Sequence, residues 1–170
     1  MAYTPVTPRE GLQPIALNSA TQIHPLGTII HAYDPNYGEG EFVYLEGVAS
    51  TVVGSVVTYG GVSSGGFPTY QTALAPATAN LAEPLAVAMA ATLATQFGWY
   101  QISGAAVCAT NGTLAAGPAP VYLAGTGQLT SSQANGEQVV NARNCSATGT
   151  PATAQAVVYI NRPFAQGQTA

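Results

Sequence analysis

Lysine is missing from this 170-residue chain, and arginine occurs only at Arg9, Arg143 and Arg162. Three scattered guanidinium groups on a chain of net charge −4 cannot neutralise a run of phosphates, which excludes nucleic acid as a partner. The same shortage disfavours an anionic membrane surface. Long apolar runs are also absent: the longest, Leu85 to Ala94, covers about ten residues where a spanning helix needs about twenty. Near the N-terminus Arg9 and Glu10 interrupt a Pro-rich stretch that holds no apolar h-region, so no secretory signal is expected and the chain is expected to fold in a cytoplasm. Cysteine is limited to Cys108 and Cys145, too few for a disulfide framework. Buried free thiols are the expectation in a reducing compartment, with a bridge between the two as the alternative.

What is present argues for a folded chain of one domain. Alanine supplies 30 residues of the 47% hydrophobic content, so that figure overstates the core. Disorder couples low hydrophobicity to high charge, however, and only 6% of this chain is charged. Residues 1–26 read as an extended arm. Pro5, Pro8, Pro14 and Pro25 recur without hydrophobic periodicity, and each fixes φ and biases its predecessor away from helix. The arm's apolar residues, among them Ile15, Leu17, Ile23 and Leu26, need a surface to lie on, and a neighbouring subunit is the expected one.

Residues 27–164 read as a β-rich domain, with 165–170 as a flexible tail. Strand candidates are Thr28 to Ala32, Glu41 to Val48, Thr51 to Tyr59, Tyr70 to Leu74, Leu85 to Met89, Trp99 to Val107, Val121 to Ala124, Gln138 to Ala142 and Ala156 to Ile160. Between them lie Asn111-Gly112, Asn135-Gly136, Gly60-Gly61 and Gly65-Gly66, which are strong turn signals. Short strands at such spacing predict an all-β fold, a small barrel or sandwich of antiparallel strands. The segment 82–96 is rich in alanine, which favours helix, but Pro84 and the short run before Gly98 favour a strand followed by a turn. The valine pairs at 52–53, 56–57, 139–140 and 157–158 place apolar groups on both strand faces, where a half-solvated sheet would alternate. A second chain covering one of those faces is the expectation.

The motifs that carry chemistry are weak. Gly61-Val62-Ser63-Ser64-Gly65 fits the nucleophile elbow, but that elbow needs a helix after it and a histidine later in the chain. Both histidines, His24 and His31, lie upstream, and a serine without a reachable base is a poor nucleophile. The acidic stretch from Asp34 opens like a calcium loop, yet Glu39 and Leu45 stand where an EF-hand needs Gly and Glu. His31, Asp34, Glu39, Glu41 and Glu46 show no recognised metal-ligand spacing. Neither catalysis nor any cofactor or metal is expected.

Two blocks carry a resemblance. Gly27-Thr28-Ile29-Ile30-His31-Ala32-Tyr33-Asp34, continued by Tyr37-Gly38-Glu39-Gly40-Glu41-Phe42-Val43-Tyr44-Leu45-Glu46-Gly47-Val48-Ala49-Ser50, is one. Phe97-Gly98-Trp99-Tyr100-Gln101-Ile102-Ser103-Gly104 is the other. Together they resemble the head decoration, or cement, proteins of tailed bacteriophages. The resemblance implies a β-rich subunit on the outer surface of the virion capsid, bound to the major capsid protein and to itself as a homotrimer or homodimer. It also implies an arm that reaches adjacent subunits, with Ile15, Leu17, Ile23 and Leu26 as its contacts, and Phe42, Tyr44, Trp99 and Tyr100 in or beside the core. On that basis, removing residues 1–26 should leave the domain folded while abolishing head binding. A receptor- or carbohydrate-binding fibre or adhesin module is the alternative; it should show exposed aromatics in a groove.

Overall fold

The computed structural model describes residues 4–5 and 11–167. In chain order the strands are β1 (Thr4–Pro5), β2 (Ile29–Asp34), β3 (Gly38–Glu46), β4 (Val56–Thr58), β5 (Ala73–Leu74) and β6 (Leu85–Ala88). They continue with β7 (Phe97–Ala109), β8 (Tyr122–Gly125), β9 (Gln128–Thr130), β10 (Val139–Asn144) and β11 (Gln155–Ala165). The described residues form no helix, so none is long and apolar enough to cross a membrane.

β7 is the spine. Its first half pairs with β3, and its second half pairs antiparallel with β11, from Ser103 opposite Asn161 to Ala109 opposite Gln155. The register with β3 slips between Glu41 and Phe42, which face Ser103 and Gln101 and leave Ile102 as the extra residue of a bulge. The main sheet runs β1-β2-β3-β7-β6-β4-β5, with β11 beside β7 and β10 beside β11, while β8 and β9 form a separate hairpin.

The fold is all-β and mostly antiparallel, as the turn chemistry implied, but no sheet closes into a barrel. Closure needs long end strands that meet. Here the path ends in the two-residue strands β1 and β5, and Asn141 takes a positive φ of 59° where the register of β10 on β11 shifts. Edges kept this short or irregular offer little to pair with.

Most strand candidates find their counterparts, and 82–96 is the strand β6 followed by turns. Only Val56–Thr58 of the 51–59 candidate pairs as a strand; Gly54, with φ 88°, belongs to the turn before it. β9 was not anticipated, because Gln128–Thr130 is too short to show alternation. The segment read as a tail begins inside β11: Ala165 is buried, and the Gln166 N–H donates to the Gln138 carbonyl at 2.9 Å. Residues 168–170 lie outside the described residues.

The core has three apolar groups that explain the two-faced strands. Phe42, Tyr44 and Trp99 pack on one face of β3 and β7, and Val43, Leu45, Tyr100 and Ile102 on the other. A third group joins β11 and the second half of β7 to the β8–β9 hairpin through Ala106, Cys108, Val158, Ile160, Leu123 and Leu129. At Val56-Val57 no second chain is needed to cover a face: Val56 belongs to this third group and Val57 to the second.

Candidate functional site

Trp99, the chain's single tryptophan, lies directly opposite Tyr44 across the β3–β7 ladder. Their ring centroids are 5.0 Å apart at 61°, the edge-on arrangement that aromatic quadrupoles prefer. Both rings end in a polar group that must be bonded once buried. The segment 11–26 supplies those bonds. Trp99 Nε1–H donates to the Gln13 carbonyl at 3.0 Å, and the Tyr44 hydroxyl donates to Gln13 Oε1 at 2.9 Å. That hydroxyl also accepts the Ile23 N–H at 3.3 Å. His24 sits edge-on to Tyr44 at 5.1 Å and tilted against Trp99 at 5.4 Å, and its Nε2 accepts the Gln13 N–H at 3.3 Å.

Backbone bonds close the other end. Ser19 and Phe97 exchange N–H···O=C bonds of 2.9 and 2.8 Å, and Asn18 Nδ2–H donates to the Ala91 carbonyl at 2.7 Å. The described part of the arm is therefore a strap laid across its own domain. Nearer the N-terminus, Thr4 and Pro5 face Tyr33 and Ala32 on β2.

The four arm residues singled out by sequence divide into two pairs. Ile15 is 3% exposed among Phe42, Tyr44 and Trp99, and Leu26 packs half-buried on the same cluster. Both pack against the chain's own core, Ile15 fully and Leu26 in part. Leu17 and Ile23, 57% and 49% exposed, point to solvent. Gln13 and His24 were missed as anchors, since one polar and one aromatic residue in an aperiodic Pro-rich stretch give no pattern to read. Phe42, Tyr44, Trp99 and Tyr100 are all buried.

The other motifs resolve into structure. Ser63 lies in an exposed hairpin tip where Val62 faces Pro68; its Oγ accepts the Phe67 N–H at 3.3 Å, and no helix follows. Asp34 is buried and its Oδ1 accepts the N–H groups of Asn36 and Tyr37 at 2.8 and 3.1 Å, an Asx turn that shapes the β2–β3 hairpin. His31 lies 3.4 Å from Glu39 and 3.8 Å from Glu41, and Arg162 lies 3.2 Å from Glu41. Asp34 and Glu46 do not join them. Among the described residues no group of three or more His, Cys, Asp or Glu is placed to hold a metal ion.

Both cysteines are free, Cys108 buried and Cys145 exposed. The expectation of two buried thiols thus fails at Cys145, which follows the last residue of β10 and stays at the surface. Burial pushes the Cys108 thiol up to about 12 from 9.0, so it stays protonated and unreactive. A thiol alkylator at mildly alkaline pH should modify one cysteine in the folded protein and two in denaturant; peptide mapping should place the first at Cys145. Labelling of Cys108 under native conditions would show that the β7–β11 core opens. The same shift has a sign for stability. The unfolded chain releases the thiol proton above its ordinary range while the folded chain retains it, so this contribution is complete below pH 9.0 and is lost as pH rises toward about 12.

No family model matches the chain, and no curated protein or solved structure matches it.

Proposed function

We propose that this protein is a non-enzymatic cement subunit of a tailed-phage head, docking on the outer capsid surface against the major capsid protein as a small symmetric oligomer. The observation that carries the reading is the strap. It is anchored by buried Ile15 and by Gln13 bonded to Trp99 and Tyr44, while it presents Leu17 and Ile23 to solvent. Contact side chains held on an ordered base lose little further entropy on docking, which favours binding by apolar burial in a chain with so few charges. Many identical modest contacts repeated by capsid symmetry would then stiffen the shell through avidity.

The test is co-sedimentation of the full chain with empty heads. The double variant Leu17→Asp with Ile23→Asp should lose binding on the order of thirtyfold or more, the scale of one interface hot spot, with an unchanged unfolding midpoint. Undiminished binding by that variant, or a wild-type chain that does not sediment with heads, would overturn the proposal.

A further inference from the structure

The chain holds ten charged residues, and four of them, Glu39, Glu41, Arg143 and Arg162, gather on one open sheet face together with His31. Strand register defines that face. His31 faces Glu41, Glu41 faces Ser103, and Ser103 faces Asn161; in the next row Ala105 faces Tyr159, which faces Arg143. Crossing β2, β3, β7, β11 and β10, these residues are exposed or half-exposed, while Ile30, Phe42, Ala106, Cys108, Val158 and Ile160 on the opposite face are buried. Five strands at a spacing of about 4.8 Å make the face roughly 19 Å wide.

The face has a sign at each side and relief in the middle. The β3 side carries Glu39 and Glu41, of which Glu41 is already held by Arg162 at 3.2 Å and Glu39 is the more exposed; the β10 side carries Arg143, whose guanidinium lies 5.6 Å from the centre of the Tyr159 ring. Along the middle, Gly40, Ser103 and Gly104 leave a hollow of about 240 Å³ walled by His31, Glu41 and Tyr159. A second hollow of about 330 Å³ lies on the other side of Tyr159, between Arg143 and Asn161. Tyr159, 47% exposed, is thus a ridge between two depressions.

We infer that this face binds a second copy of the chain around a two-fold axis running along the strands between β7 and β11. Such an axis, lying in the plane of contact, exchanges left and right. It sets β10 of one copy over β3 of the other, and β11 over β7. Arg143 then meets the carboxylate of Glu39, and the Tyr159 ridge meets the hollow floored by Ser103 and Gly104. One rotation satisfies both charge and shape, which is the requirement for an isologous contact. About 19 Å wide and only a few exposed residues long on each strand, the face falls short of the roughly 800 Å² per partner of a standard interface, which puts the dimer in the weak class. The inference deepens the symmetric oligomer of the capsid reading by naming its order and its face, and it is tested without heads, so its failure is distinguishable from a failure of head binding.

The experiment is sedimentation equilibrium of the full chain over a wide concentration range, with Arg143→Glu and Glu39→Arg. Both side chains are exposed, and the fluorescence of buried Trp99 verifies that each variant is folded. Each single variant should lose homodimerisation on the order of a hundredfold, because the two-fold sets every like-charge pair into the contact twice. Mixing the two single variants should restore dimers, since each then supplies the charge that the other lacks. A wild-type chain that stays monomeric at its highest concentration, a closed trimer, or single variants that dimerise like the wild type would each overturn the inference.

Discussion

Deleting residues 1–26 should unfold much of the domain instead of releasing a separate arm. The deletion removes Ile15 from the aromatic cluster, strips Leu12 and Leu26 from its margin, and leaves the indole N–H of Trp99 and the hydroxyl of Tyr44 without their Gln13 partners. Truncating a buried isoleucine alone costs about 2–5 kcal/mol, and each buried polar group left unbonded adds about 1–3 kcal/mol. Against a typical total of about 5–15 kcal/mol, that sum exhausts most of the stability. Trp99 reports the outcome directly, as the only indole in the chain. Its emission should shift to the red in the truncated protein, and cooperative urea unfolding should weaken or vanish. Ile15→Ala in the full chain isolates the apolar part and should lower stability by about 2–5 kcal/mol. A truncated protein with blue emission and an unmoved urea midpoint would show that the strap rests on the domain without supporting it.

Gly104→Ala should be the most damaging single-methyl change in the sheet. Gly104 has a φ of 101°, and a Cβ there would stand 2.5 Å from the Glu39 carbonyl oxygen and 3.1 Å from the Gly40 Cα, all of it backbone. It lies where β7 passes from β3 to β11, so neither neighbour can retreat without breaking a ladder. Backbone strain of this kind costs about 1–3 kcal/mol, and the clash adds to it, so a loss of about 2–4 kcal/mol is expected in urea unfolding. Gly38→Ala separates the two causes. Its φ is 76°, but nothing lies within 4 Å of the added methyl, so only the strain, about 1–2 kcal/mol, should appear. Equal losses at both positions would show that the close approach of Glu39 contributes nothing.

The strands were legible because their signals are local. Val43, Leu45, Phe42 and Tyr44 in β3, and Trp99, Tyr100 and Ile102 in β7, alternate between two buried faces that turn residues then bound. Where a strand was overlooked or overextended, the pairing was shorter than the pattern. The three residues of β9 cannot show a period, and Val52 and Val53 are turn residues despite their β-branching.

Local pattern alone determined that this chain is all-β, because strand alternation and turn chemistry need no neighbours in space. Tertiary structure alone decided that the arm is a strap, since Gln13 and the indole it caps are 86 residues apart and no local rule joins them. It also decided which charges share a face. Glu41 and Arg162 lie 121 positions apart in sequence, and they meet only because the order β3-β7-β11 sets the two outer strands on either side of β7. Strand order arises from which buried surfaces fit together, a property of the whole chain and not of any segment.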